Sequence, residues 1–283
     1  MNLDSYIYSM NSSFDPFLEI AVSAAQMAGK RALEMQGSLG EPQFKGPKDL
    51  VTIADFECDR LIRAQIETAF PDHDLLTEEE GALVKGSEYC WYVDPIDGTI
   101  NYMHGLPLWG VSIGLAHRGE VICGAIYLPA LNELYTACRG GGAFLNNQIV
   151  HISPCLTLAS AIISHGDFNV EADGPERKRM NGENFWARMR TLDAVQRIKC
   201  LGSAAVEGAF VSAGRLDAYC MLYLYPWDVA VTSLLVREAG GMVTDLSGVP
   251  WSLEKKSALF SNGLMHKELL ELLDFDHRRI PAG

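Results

Sequence analysis

Four carboxylates in three short stretches are the residues of this 283-residue chain best suited to chemistry: Glu78 in TEEE, Asp94 and Asp97 in DPIDGT, and Asp228 in YPWDVA. Each follows an apolar run or starts a helix, so each can project from the end of a rigid element into a common cleft. Carboxylates gathered in this way repel one another unless cations lie between them. Hard divalent ions such as Mg²⁺ take oxygen ligands from carboxylates, backbone carbonyls and waters, and share them with substrate phosphates. Pro95 fixes the backbone so that Asp94, the carbonyl of Ile96 and Asp97 can face one ion. His73, His104, His117, His151 and His165 form no cluster of zinc spacing, which disfavours a soft-metal site.

Gly98 and Thr99 continue the same stretch. Glycine permits a sharp turn, and a helix starting after Thr99 would offer the N–H groups of both residues to an anion. A phosphate would then bridge metals and amides. The chain has no G-x-x-x-x-G-K-[ST] sequence, and RGGGAF lacks the lysine and hydroxyl of a nucleotide-binding loop. Each acidic stretch taken alone has a plainer reading: Asp228 as a helix N-cap, TEEE as a solvated loop, DPIDGT as a turn closed by its own aspartates. The three together, in this order, point to metal-assisted phosphate chemistry.

The elements that must hold these residues show in the hydrophobic periodicity. Asp15 and Pro16 start a helix with an apolar stripe of Phe17, Ile20, Ala21, Ala24, Met27 and Ala28, stopped at Gly37. A second helix runs from about Asp55 to Phe70 with Phe56, Leu61, Ile62 and Ile66 on one face, ended by Pro71. Strands are predicted around 89–93, 109–117, 120–127, 133–137 and 149–152, with turns at HRGE, LPALN, CRGGG and LNNQ; such short connections imply antiparallel neighbours. Farther on, AIIS and LDAYCML read as strands, SAAVEGAFVSAG as a helix closed by Gly214, and WDVAVTSLLVREAGG as a helix closed by Gly240. The pattern is a layered mixture of α and β elements and not a strict βαβ alternation.

A hydrophobic fraction of 48% suits one large core or two closely joined lobes. The opening MNLDSYIYSMNSSF has neither the basic start nor the apolar centre of a signal peptide, and no segment is apolar for long enough to cross a bilayer. Seven cysteines without a Cys-x-x-Cys pair read as free thiols, so a cytoplasmic protein is expected. A net charge of −13 argues against nucleic acid as a partner. Basic and aromatic residues do interleave in ERKRMNGENFWARMR (176–190), which reads as a solvated loop running into an exposed helix face.

With these stretches in place, the chain resembles the inositol monophosphatase family of Mg²⁺-dependent, lithium-sensitive phosphatases, sharing PWD with its bacterial members. The resemblance rests on DLVTIAD (49–55), EE (78–79), DPIDGTINY (94–102), GVSIGL (110–115), CRGGGAFLNN (138–147), GSAA (202–205), and WDVA followed by EAGG (227–241). It implies a five-layered αβαβα fold with a larger antiparallel sheet and a smaller mixed one. One catalytic domain would span 12–275, with lobes of about 12–152 and 153–275 and the cleft between them. The tail DFDHRRIPAG is expected to fray over 276–283.

Carried over residue by residue, the resemblance implies two or three Mg²⁺ ions. Glu78, Asp94 and the carbonyl of Ile96 match the ligands of the first, and Asp94, Asp97 and Asp228 those of the second. Glu78 would reach a third through water and so belongs with the catalytic set. Thr99 and Asp55 match the pair that orients and deprotonates the attacking water, with Gly98 and Thr99 at the phosphate. Asp97, Ser203, Ala204 and Met221 fall at substrate positions, and Lys45 or Lys48 on a mobile loop.

The family also implies a homodimer without membrane attachment. The expected substrate is a small phosphate monoester, inositol 1-phosphate first. Met221 or its neighbour stands where animal members carry a glutamate that binds ring hydroxyls, which leaves fructose 1,6-bisphosphate, histidinol phosphate, NADP and 3′-phosphoadenosine 5′-phosphate as alternatives. A reading of another class is a non-catalytic regulatory protein that binds through the basic stretch between Arg177 and Arg190.

Overall fold

Alanines decide how closely the first helix approaches its sheet. In the computed structural model, which describes residues 15–37, 43–44, 50–166 and 174–273, α1 (Asp15–Met35) buries Ala21, Ala24, Ala25, Ala28 and Ala32 completely. Met27, expected in that stripe, is 37% exposed, because the small-residue face is centred on Ala25 and Ala28. Short antiparallel strands β1 (Gln43–Phe44) and β2 (Leu50–Val51) follow. Next comes α2 (Ile53–Ala69), which starts at the Thr52 N-cap, slightly ahead of the expected Asp55. Its buried face carries Cys58, Ile62 and Ile66, whereas Phe56 and Leu61 are only half-buried.

The larger sheet contains β3 (Asp74–Thr77), β4 (Gly81–Leu83), β5 (Tyr89–Asp97), β6 (Gly110–His117), β7 (Glu120–Leu128), β8 (Glu133–Cys138), β9 (Gly142–Leu145) and β10 (Gln148–Ile149). Their order is β10-β9-β8-β7-β6-β5-β3-β4. All neighbours are antiparallel except β3 and β5, which run parallel. The strand expected at 149–152 is confined to Gln148–Ile149; Ile152 instead donates its N–H to Ala239 O. The single-turn helix α3 (Thr99–Met103) joins β5 to β6.

The smaller sheet is mixed. Its strands are interspersed with helices in the order β11 (Ile162–His165), α4 (Gly174–Leu192), β12 (Arg197–Lys199), α5 (Ala204–Ser212), β13 (Ala218–Met221), α6 (Pro226–Glu238), β14 (Met242–Thr244), β15 (Ala258–Ser261) and α7 (His266–Leu273) along the chain. Strand order is β12-β11-β13-β15-β14, with β11 parallel to both neighbours and the other pairs antiparallel. Five layers result: α1 and α2, the large sheet, α5 and α6, the small sheet, then α4 and α7. The central helices nearly touch, since a Cβ on Gly208 of α5 would lie 1.7 Å from Thr232 of α6. On the other side, a Cβ on Gly114 of β6 would come within 2.9 Å of Val231.

Residues 174–192 are helical throughout, so the stretch 176–190 is not a loop running into a helix. The tail from residue 274 and both Lys45 and Lys48 lie outside the described residues. All seven cysteines are free. Among the described residues, no helix is long and apolar enough to cross a membrane.

Candidate active site

The parallel pair β3–β5 brings two of the acidic stretches side by side. Thr77 pairs with Val93, and the Glu78 N–H donates to Val93 O at 3.1 Å, so Glu78 and Asp94 leave adjacent strand ends together. Against β6 the register holds through Asp94–Ser112, then breaks before Asp97–Gly110. A break of this kind bends the strand and re-aims its side chains. Inside it, the Ile96 N–H closes onto Asp94 Oδ1 at 3.1 Å. Gly98 then takes φ +93° and caps α3, a conformation that side chains resist.

Asp97 and Asp228 are held from the middle layer. Asp97 Oδ2 accepts Ser203 Oγ at 2.9 Å and the Ala205 N–H, both at the start of α5. Asp228 is not an N-cap: Tyr225 caps α6, Pro226 occupies its first turn, and Asp228 at the third helical position reaches back to the Tyr225 N–H at 2.7 Å. Asp55 occupies the same place on α2. Its Oδ2 accepts the Thr52 N–H at 2.8 Å and Thr52 Oγ1 at 2.5 Å, and its Oδ1 lies 3.2 Å from Thr99 Oγ1. Thr99 Oγ1 is also 3.2 Å from the carbonyl of Ile96.

The electrostatics are those of crowded like charges. Burial raises Asp94 well above the usual carboxylate range, and Glu78, Asp97 and Asp228 push it further. Burial also lifts Asp97 to about 6, against the opposing pull of the Ala205 N–H and the Ser203 hydroxyl. Among the described residues, no three His, Cys, Asp or Glu side chains form a ready-made metal-holding group. The reason is visible in the bonds above: Asp97 turns to α5, Asp228 to Tyr225 and Asp94 to Ile96. The donor set still fits a hard divalent cation, because every donor is oxygen and the strained ionisation of Asp94 is what a cation relieves.

A cavity of about 500 Å³ opens from this cluster. Its wall carries the acids Glu78, Asp97 and Asp228 together with Ser203, Ala204 and Met221. Asp94, Asp55 and Thr99 are not on its wall. Met221 Sδ accepts the Tyr219 hydroxyl at 3.1 Å. The same wall carries the cations Arg179 and Lys256 with Tyr223 and Tyr225. Lys256 Nζ sits 5.5 Å from the centre of the Tyr225 ring, which stacks on Trp227 at 4.8 Å. Arg179 pairs with Glu183 at 2.5 Å, and Glu183 also accepts the Tyr223 hydroxyl.

Sequence reasoning missed Glu207 altogether. This cavity-lining residue of α5 is 1% exposed, accepts Ser164 Oγ at 2.5 Å and the Leu201 N–H at 2.8 Å, and is pushed up to about 8 by burial. The signal was a single acid inside the apolar run AAVEGAF. Arg179 was visible only as part of a basic stretch. Nothing in the local sequence marks Lys256.

Comparison with known proteins places these motifs among relatives. The model of the inositol monophosphatase family matches residues 13–278. A Thermotoga maritima protein named fructose-1,6-bisphosphatase/inositol-1-monophosphatase is 41% identical over 91% of this chain and 95% of its own length. The inositol-1-monophosphatase of Mesorhizobium japonicum is 38% identical over 90% of this chain and 94% of its own. The solved structure of the extragenic suppressor protein suhB from Bartonella henselae superposes with a TM-score of 0.84 at 33% identity, covering 91% of this chain and 98% of that one.

Proposed function

Because the chain belongs to the inositol monophosphatase family, we propose that it is a Mg²⁺-dependent phosphatase that hydrolyses inositol 1-phosphate to inositol and phosphate. The observation that carries the reading is the convergence of Glu78, Asp97 and Asp228 on the buried Asp94, the first three lining a cavity of about 500 Å³. With the carbonyl of Ile96, these carboxylates would hold two or three Mg²⁺ ions. Such ions supply Lewis acidity, lowering the pKa of water and offsetting charge on the phosphoryl oxygens.

The protein's own groups do the rest. Thr99 Oγ1 takes a proton from the attacking water and passes its own to Asp55 Oδ1, the acceptor 3.2 Å away. Thr52 fixes that carboxylate through its N–H and hydroxyl. Gly98 and Thr99 offer amides to the phosphate; α3 is only five residues long, so their effect is local hydrogen bonding and not a helix dipole. Ser203 and Ala205 keep Asp97 oriented, while Ala204 and Met221 face the alcohol part of the substrate.

A second reading of the substrate is fructose 1,6-bisphosphate. It is favoured by two cations, Arg179 and Lys256, on the wall of the same cavity, which suit a second phosphate, and by a thioether at Met221 among the lining residues. Phosphate release measured with Mg²⁺ on inositol 1-phosphate, fructose 1,6-bisphosphate, histidinol phosphate, NADP and 3′-phosphoadenosine 5′-phosphate decides between them. The highest kcat/KM on inositol 1-phosphate supports the first reading, and on the bisphosphate the second. Adding LiCl to the same assay tests lithium inhibition, which fails if turnover is unchanged.

We extend the reading to a cytoplasmic homodimer. Seven free thiols suit a reducing compartment. Phe185, Trp186, Met189 and Leu192 of α4, each between 39 and 52% exposed, leave an apolar surface for a second copy. Sedimentation that returns only monomer at micromolar concentration contradicts the dimer.

A further inference from the structure

Asp59 is a buried carboxylate that none of the roles above uses. It lies one turn beyond Asp55 on the same face of α2 and is completely inaccessible. Its Oδ2 accepts Thr77 Oγ1 at 2.8 Å and the Glu80 N–H at 2.9 Å. Those two donors flank Glu78: Thr77 ends β3, and Glu80 lies in the turn that follows.

Arg63, a further turn along α2, tightens the same grip. It donates to Thr77 Oγ1 at 3.2 Å and to Gly81 O at 3.1 Å, and its Nε pairs with the Glu80 carboxylate at 3.3 Å. The turn carrying Glu78 is therefore clamped by α2 on both sides, and by Val93 O of β5 from the sheet. Burying a carboxylate is costly, and burial raises Asp59 above its ordinary range. In return it is a stronger acceptor than any neutral group, able to fix two donors at once. Its other oxygen meets no hydrogen-bond partner among the described residues, so the group is dedicated to this turn.

We propose that Asp59 is a positioning residue that sets the place of Glu78 and, through it, the affinity of the site for a divalent cation. The inference rests on the metal reading given above. Groups that orient a metal ligand typically change metal affinity or activity by about 10–100-fold when removed.

The test is calorimetric titration of Mg²⁺ into the full-length protein, with thermal unfolding recorded without Mg²⁺ to check folding. Asp59→Ala is expected to weaken Mg²⁺ binding by about 10–100-fold, with kcat at saturating Mg²⁺ changed far less. Asp59→Asn keeps a carbonyl acceptor and is expected to recover most of the affinity. A folded Asp59→Ala protein that binds Mg²⁺ as tightly as the unaltered chain overturns the assignment. Should that variant fail to fold, Thr77→Val carries the test, since it deletes the bridging hydroxyl at nearly constant volume; unchanged Mg²⁺ affinity there overturns the proposal equally. Loss of binding in Asp94→Asn with normal binding in Asp59→Ala removes Asp59 alone. An unaltered chain that takes up no Mg²⁺ removes both the assignment and the metal reading beneath it.

Discussion

The acids and the cations of the site are held on different principles. Glu78 follows directly on β3 and Asp94 lies on its neighbour β5, Asp97 is tied to the first turn of α5, and Asp228 to the cap of α6. Each is fixed by backbone hydrogen bonds of regular elements. The cations Arg179 and Lys256 come from a surface helix and a loop, steadied by a side-chain ion pair and an aromatic ring. Under the proposed reading, chemistry that needs fixed distances belongs to the acids, and selection among alcohols to the cations, which substitution can change without disturbing the core.

That contrast predicts graded effects. Thr99→Ala, on the rigid side, removes the hydroxyl between water and Asp55; kcat is expected to fall about 100-fold, the lower part of the range for a lost acid–base group. Steady-state kinetics at saturating Mg²⁺ check this, and a fall below 3-fold would place Thr99 outside the proton path. Among the cations, Lys256→Ala should lower kcat/KM for fructose 1,6-bisphosphate about 10-fold, as expected for one exposed charge–phosphate contact. Its effect on inositol 1-phosphate should be small. Equal losses on both esters would show that Lys256 does not read the alcohol.

Glu207 concerns stability and not turnover. Its carboxyl ordinarily titrates near 4.5 and is held near 8 in the folded protein, so the folded state keeps a proton that the unfolded chain releases. The stabilisation is complete below about pH 4.5 and is lost as pH rises through about 8. Glu207→Gln keeps an acceptor for Ser164 and Leu201 and should flatten this alkaline decline. Melting temperatures from pH 5 to 9 test it; parallel curves for the two proteins would assign the decline to other groups.

The same division governs what was legible in the sequence. DPIDGT could be read because a proline, two aspartates and a glycine within one turn nearly determine their own geometry. The middle layer was equally plain, since α5 and α6 carry long apolar runs closed by glycines. Strands β3 and β4 escaped notice: they are four and three residues long, and the parallel partner of β3 arrives only after β4. For Asp228 the plainer reading as an N-cap fails because Pro226 takes the first helical position and puts Asp228 at the third, a preference legible in the sequence. The cations stayed hidden because Arg179 and Lys256, far apart in the sequence, come to one cavity only in the folded chain. Asp59 was hidden for a related reason: its partners Thr77 and Glu80 belong to that short strand and its turn.

The most direct test of the central claim is Mg²⁺-dependent phosphate release by Asp94→Asn, alongside circular dichroism to verify its fold. Asp94 is the carboxylate on which the other three press, and its loss should remove several kcal/mol of transition-state stabilisation, on the order of a 10³-fold fall in turnover. A folded variant with turnover down by that factor on every ester is the predicted result. A folded variant that releases phosphate at the rate of the unaltered protein would contradict the assignment of this carboxylate cluster as the catalytic metal site.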